Sequence, residues 1–318
     1  MIKESQKELV SEIEKLKKER GAVIMAHYYQ RPEIQELADH IGDSLALARI
    51  ATRIDAPVIV LCGVHFMGET AKILCPEKTV LEPSSDAGCS LADSCDAEEF
   101  RKFIEERPGS TVVSYVNTSA DVKALTDIVV TSGNALEIVS SLPEDEKIIF
   151  GPDRNLGSYI CEKTGRKMEI WPGYCHVHEQ FSLEKILELK KQHPDAELLV
   201  HPECKAPLRL VADKVGSTAA LLAYARKGKP GQKYIVATES GILHEMEKLC
   251  SDKIFLPAPP DTGECACNEC SYMKLNTLEK LRDCLRDMKP EVKVDEKIIE
   301  RARRPITKML EISAALGL

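Results

Sequence analysis

Gly173-Tyr174-Cys175-His176-Val177-His178-Glu179 is the stretch from which the rest of the chain can be ordered. It follows a strand-like run, 168–171, and is opened by the turn Trp171-Pro172-Gly173. Its cysteine has one counterpart upstream and one downstream. Cys89 lies in Ser85-Asp86-Ala87-Gly88-Cys89-Ser90, and Cys270 closes Cys265-Ala266-Cys267-Asn268-Glu269-Cys270. The three fall at intervals of 86 and 95 residues. Each closes a block with the same grammar: helix, apolar strand, helix, apolar strand, turn-rich loop. That repetition predicts three related units, each offering one thiol from a loop.

Working outward, the first block carries strand-length apolar runs at 22–26, 57–61 and 79–81. The second carries them at 111–116, 128–130, 147–150 and 168–171, and the third at 197–200, 234–237 and 253–256. They are continuous runs rather than alternations, as strands buried on both faces show. Helical periodicity lies between them, at 7–20, 32–41, 45–54, 68–74, 97–106, 120–125, 135–141, 183–192 and 242–249. Gly216-Ser217-Thr218 heads a further helix to Ala225. Two terminal helices, 278–288 and 296–315, are expected to pack back on the first unit. Strands alternating with helices predict an α/β fold with parallel sheets. The expected units are 1–94 completed by 285–318, 95–181, and 182–284. No low-complexity linker separates them, so docked units are expected.

Composition narrows the function. The formal net charge of −8 argues against nucleic acid as the main partner, which needs a basic face. No run approaches the roughly 18 apolar residues of a membrane span. The stretch 1–20 is charge-rich and helical in pattern, which is not the pattern of a signal peptide. A cytoplasmic protein is expected. In a reducing compartment the 12 cysteines predict metal or redox chemistry rather than a disulfide framework. Some, such as Cys62 and Cys250, read as small core hydrophobes.

In parallel α/β sheets ligands bind beyond the carboxyl ends of the strands. His27, Asn117, His201, Glu203 and Glu239 all stand at or just past such an end. Three units facing one another would bring these ends, and the three cysteines, to one central cavity. Three converging thiolates suit a [4Fe–4S] cluster with one iron lacking a protein ligand. Three unrelated thiols remain an alternative on spacing alone. Cys265-x-Cys267-x-x-Cys270 also reads as half of a zinc site or a redox pair, with Cys175-His176-Val177-His178 as possible partners. His201 and Glu203 share one face at i, i+2, which sets proton transfer or carboxylate binding level with a structural histidine. Gly42-Asp43-Ser44, Thr131-Ser132-Gly133-Asn134 and Gly216-Ser217-Thr218 stand at helix starts, where they either bind an anion or simply cap.

The same motifs, in this order, resemble the quinolinate synthase family, the iron–sulfur enzymes of de novo NAD synthesis. The resemblance runs through Ala26-His27-Tyr28-Tyr29-Gln30, Gly42-Asp43-Ser44-Leu45, Ala87-Gly88-Cys89-Ser90, Tyr115-Val116-Asn117 and Thr131-Ser132-Gly133-Asn134-Ala135. It continues through Phe150-Gly151-Pro152-Asp153-Arg154-Asn155, Cys175-His176-Val177-His178-Glu179, His201-Pro202-Glu203-Cys204, Val215-Gly216-Ser217-Thr218 and Cys270-Ser271-Tyr272-Met273-Lys274-Leu275-Asn276. It implies three three-layer αβα units around a pseudo-threefold axis, with a [4Fe–4S] cluster on Cys89, Cys175 and Cys270. It implies a transferase that condenses iminoaspartate with dihydroxyacetone phosphate to quinolinate, with loss of phosphate and two waters. L-aspartate oxidase is implied as a functional partner that makes the imine. His27, Ser44, Tyr115, Asn117, Ser132, His201, Glu203 and Thr218 would line the substrate site, with Ser217 as a further contact. Tyr29, His201 and Glu203 would move protons. Some members carry Cys-x-x-Cys-x-x-Cys where this chain has Cys265-x-Cys267-x-x-Cys270, so any thiol pairing there does not carry over. Two rivals stand beside this reading. One is a three-unit iron–sulfur enzyme of diphthamide synthesis, which cleaves S-adenosylmethionine; the other is a zinc-binding or electron-transfer module without catalysis.

Overall fold

The computed structural model describes residues 6–261 and 268–318, so Cys265 and Cys267 lie outside the described residues. Among the described residues twelve strands form three sheets of four. The first sheet holds β1 (Ala22–His27), β2 (His40–Gly42), β3 (Val58–Cys62) and β4 (Thr79–Leu81). The second holds β5 (Thr111–Tyr115), β6 (Ile128–Val130), β7 (Ile148–Gly151) and β8 (Glu169–Ile170). The third holds β9 (Glu197–Val200), β10 (Lys214–Val215), β11 (Lys233–Ala237) and β12 (Ile254–Pro257). All pairings are parallel, and the orders are β2-β1-β3-β4, β6-β5-β7-β8 and β10-β9-β11-β12. One topology is thus written three times, with helices flanking each sheet.

The repetition reaches single hydrogen bonds. Asp39, Asp127 and Asp213 each follow the short helix that comes after the first strand of their unit. Asp39 Oδ2 accepts the Ile24 amide at 2.8 Å, Asp127 Oδ2 the Val112 amide at 2.8 Å, and Asp213 Oδ2 the Leu198 amide at 2.7 Å. The backbone N–H of each aspartate donates back to the carbonyl of the same strand residue, at 2.9, 2.9 and 3.0 Å. This two-point clasp sets the register that pairs His27 with Gly42, Tyr115 with Val130 and Val200 with Val215. It also explains a difference from the sequence reading. The helix expected over 32–41 is Pro32–Leu37; Ala38 is extended, with φ −71° and ψ 136°, and β2 begins at His40. A side chain that captures backbone amides competes with helix, and here it wins. Asp127→Ala is therefore expected to lower stability by about 1–2 kcal/mol. The midpoint of urea unfolding should fall at constant slope.

The inner strands are buried almost throughout, β3 and β7 at every residue. One apolar cluster runs from Ile59 and Val80 in the first sheet through Val113 and Phe150 in the second to Ile306 and Met309. The third sheet packs through separate clusters around Leu198 and Tyr234. Of the terminal helices, Leu278–Asp287 packs on Lys7–Arg20, as expected. Glu296–Ala315 lies against His65–Leu74 but also against β6 and Ala120–Lys123, and Asn134 Nδ2 donates to Ser313 Oγ at 2.9 Å. The last helix therefore straps the first two units together. Among the described residues no helix is long and apolar enough to cross a membrane.

Candidate active site

The carboxyl ends of the strands open on one cavity of about 730 Å³. Each unit contributes in the same way. At the ends of the first strands, β1 delivers His27 and Tyr29, β5 delivers Tyr115 and Asn117, and β9 delivers His201 and Glu203. Past the second strands come Ser44, Ser132 and Thr218. Past the last strands come Cys89, Cys175 and Cys270. Ser217 is the one expected site residue that does not line the cavity. Its hydroxyl accepts the Ala220 amide at 3.3 Å and caps the helix Thr218–Arg226.

The three cysteine loops brace one another. Ser90 Oγ and His176 Nδ1 are 2.6 Å apart, joining the residues that follow Cys89 and Cys175. Asn268 Nδ2 donates to the Val177 carbonyl, joining the second loop to the third. The Tyr272 ring meets His176 edge-on at 6.1 Å. The Cys175 amide donates to Asp153 Oδ2 at 3.2 Å, and the Cys270 amide to Glu239 Oε1 at 3.1 Å. None of the ten cysteines among the described residues is in a disulfide. Burial pushes the Cys89 thiol up to about 12, and Cys270 adds to the shift. Burial, then Glu203, Cys89 and Cys270, push Cys175 well above the ordinary thiol range. Thiols that raise one another in this way ionise together only when a positive centre joins them, which is how thiolate metal sites work.

Gly173 shows how tightly the second loop is seated. A Cβ there would lie 2.6 Å from the Pro152 carbonyl oxygen and collide with Ser94 Oγ. Gly173→Ala is expected to cost about 1–3 kcal/mol by overpacking. The same change should also loosen the Cys175 loop, seen as a lowered melting temperature together with faster alkylation of Cys175 in metal-free protein.

On the other wall, Glu203 sits at the centre of a polar cluster. Its side chain is 3% exposed. Tyr115 OH donates to Oε1 at 2.5 Å. His178 Nδ1 approaches Oε2 to 3.2 Å, off the line of a hydrogen bond, and His201 Nδ1 stands 3.7 Å from Oε1. The rings of His178 and His201 stack with centroids 4.5 Å apart. His201 Nε2 lies 3.2 Å from Ser132 Oγ. His178 Nε2 lies 3.0 Å from Thr238 Oγ1, which is 2.7 Å from Tyr29 OH; the same phenol reaches Thr218 Oγ1 at 2.8 Å. Burial works against the Glu203 carboxylate, but His178, His201 and the Tyr115 hydroxyl outweigh it and hold its pKa below the ordinary range. Burial drops His27 and His201 to about 3, so both rings are neutral near pH 7. Burial also carries the Tyr29 and Tyr115 phenols well above 10. Neutral His27 and His201 and the protonated Tyr29 and Tyr115 phenols thus stand around one carboxylate.

The sulfur wall and the Glu203 wall meet. Ligand atoms of Cys175, His178 and Glu203 all lie within 4.8 Å of one another. His178 was not singled out for the site in the sequence, although its motif was; its contacts come from Thr238 and His201, far along the chain. Cys175, His178 and Glu203 thus form a group that could hold a metal ion, and Cys89 and Cys270 line the same cavity.

The family described as Quinolinate synthetase A protein matches residues 11–311. This chain belongs to that family. The quinolinate synthase of Nostoc sp. is 55% identical over 306 residues, covering 96% of this chain and 94% of that relative. The quinolinate synthase of Chloroherpeton thalassium is 53% identical over 309 residues, covering 97% and 96%. That of Synechococcus sp. is 52% identical over 307 residues, covering 96% of both. A quinolinate synthetase A fold thus presents Cys89, Cys175, Cys270 and its buried Glu203 to a single cavity.

Proposed function

We propose that the chain condenses iminoaspartate with dihydroxyacetone phosphate to quinolinate, releasing phosphate and two waters. One observation carries this reading: three braced cysteine loops share a cavity with a buried carboxylate flanked by imidazoles and phenols. The names of the relatives support it. The donor set suits a [4Fe–4S] cluster on Cys89, Cys175 and Cys270, since three sulfurs leave one iron open. Such a cluster would supply a Lewis acid toward a carboxylate or hydroxyl of the substrate.

The chain's own residues do the rest. Ser44 and Thr218 open helices, so their amides and hydroxyls offer donors to a phosphate or carboxylate. Ser217 contributes from outside the cavity by capping the second of these helices. Asn117 Oδ1 is buried without a protein partner among the described residues, leaving an acceptor for a substrate N–H or O–H. Ser132 and His27 complete the contacts. Neutral His201, with Ser132 at Nε2 and the Glu203 carboxylate 3.7 Å from Nδ1, is the candidate for carrying a proton to or from the substrate. Tyr29 reaches the same cluster through Thr238 and His178 and serves as a donor, because its phenol stays protonated. Closure of a pyridine ring with loss of two waters needs repeated proton removal next to departing hydroxyls, and this wall supplies groups of both kinds.

We place the reaction in the cytoplasm, with an L-aspartate oxidase supplying an imine that water would otherwise hydrolyse. The decisive experiment is anaerobic. Purified protein is analysed for iron, sulfide and zinc, then supplied with freshly generated iminoaspartate and dihydroxyacetone phosphate. Brown protein with iron and sulfide, and quinolinate by chromatography, is the expected result. A colourless zinc protein without turnover would favour the binding-module reading, and turnover that requires S-adenosylmethionine would favour the diphthamide-type chemistry.

A further inference from the structure

The Cys270 loop contains an ion pair that the reaction above does not use. Lys274 Nζ lies 2.9 Å from Glu239 Oε1, with side-chain exposures of 11% and 0%. Both carboxylate oxygens and two of the three ammonium donors have named partners. Glu239 Oε1 also accepts the Cys270 amide at 3.1 Å, and Oε2 accepts the Gly241 amide at 2.7 Å. Lys274 Nζ donates to the Tyr29 carbonyl at 2.7 Å. Two further contacts close the junction. Arg31 Nε donates to the Lys274 carbonyl at 2.9 Å, and a Cβ on Gly241 would stand 2.8 Å from both Glu239 Oε2 and the Tyr29 backbone.

We infer that Glu239 and Lys274 are positioning residues, which tie the backbone of Cys270 to the backbone of Tyr29 across the boundary between the third and first units. Neither needs to meet the substrate. The carboxylate fixes the peptide from which the Cys270 side chain leaves, and the ammonium fixes the peptide from which the Tyr29 side chain leaves. One buried charge pair thereby sets the distance between a sulfur wall and a proton-donor wall. A buried pair is weak evidence for stability, since apolar replacements often serve as well. What a pair adds is direction: a carboxylate with three donors on two oxygens tolerates little rotation. The inference rests on the cluster reading for Cys270, so its test needs a readout that does not.

The full chain is studied as wild type, Glu239→Gln, Lys274→Met and the double variant. A glutamine has one acceptor oxygen, so it cannot hold both the Cys270 and Gly241 amides. In chelator-treated, cluster-free protein, hydrogen exchange is read in 268–276, in 28–31 and in the remote strand 148–151. Losing a bond to a charged group should speed exchange in 268–276 about tenfold or more for Glu239→Gln, and in 28–31 for Lys274→Met, with the remote strand unchanged. In reconstituted protein, kcat per cluster should fall with KM little changed, and the paramagnetic resonance spectrum of the reduced cluster should shift. Uniformly faster exchange, with a wild-type spectrum and wild-type kcat per cluster, would overturn the inference and leave an ordinary stabilising pair. If wild type takes up no iron and sulfide, or Cys270→Ala takes up as much, the cluster reading fails instead, and local exchange alone then decides whether the pair holds the two loops.

Discussion

Cys175→Ala is expected to abolish uptake of iron and sulfide and to lower quinolinate formation by at least about 10³-fold, the scale of losing a catalytic Lewis acid. The fold should survive. Cys175 stands at the start of a short helix on a loop and lines the cavity, so removing its sulfur widens an existing space rather than opening a new one in the core. Its backbone contact to Asp153 does not involve the side chain. Far-ultraviolet dichroism and the melting temperature should stay near wild type. Cys62 is the contrasting case. It ends β3, is 0% exposed and packs in the apolar cluster with Ile24, Leu281 and Cys284. Cys62→Ala should cost about 1–3 kcal/mol of stability while leaving iron uptake intact. The two variants separate a thiol that binds from a thiol that packs, and neither composition nor burial alone does so. Iron retained by Cys175→Ala at the wild-type level would remove Cys175 from the ligand set.

That contrast also marks what the sequence could and could not disclose. The inner strands were legible because each is a short unbroken apolar run, and only a parallel sheet covered on both faces makes such runs sensible. The recurrence of Cys89, Cys175 and Cys270 at the end of each block leaves three unrelated thiols open, and only the family resemblance points them to the one cavity that all three line. The short edge strands β2 and β10 were not. Their formation is decided by Asp39 and Asp213 gripping the amides of Ile24 and Leu198, and an aspartate between a helix and a strand looks like any turn residue. The helix Arg154–Thr164 was also not read, although Asp153 caps it at 2.7 Å and Gly165 ends it at φ 72°. Its polar face, rich in Arg154, Asn155 and Ser158, masks the apolar stripe of Leu156 and Ile160.

Within the site, residues at strand ends were legible because topology alone aims them at the cavity. Residues whose position depends on a partner from another unit were not. His178 touches Thr238, His201 and Glu203, all from the third unit, and nothing near it in sequence announces them. Ser217 illustrates the reverse. Its motif suits anion binding and capping equally, and only the Ala220 contact separates the two.

Glu203→Gln is the second large effect expected, a fall in kcat of about 10²–10⁴-fold, the range of a general acid–base group. The substitution keeps shape and volume. An amide oxygen can still accept from Tyr115 OH, now at 2.5 Å from Oε1, and the side chain stays buried between His178 and His201. What it cannot do is hold a negative charge or take a proton. Iron content should therefore match wild type, and KM should change little, since the polar contacts that shape the cavity persist. Tyr115→Phe distinguishes two ways in which Glu203 could act. If the carboxylate matters only by orienting the phenol, both single variants should fall equally and the double variant no further. If it moves protons through His201, Tyr115→Phe should fall less, and the two losses should partly add. Near-normal turnover by Glu203→Gln with an intact cluster would take the carboxylate out of proton transfer.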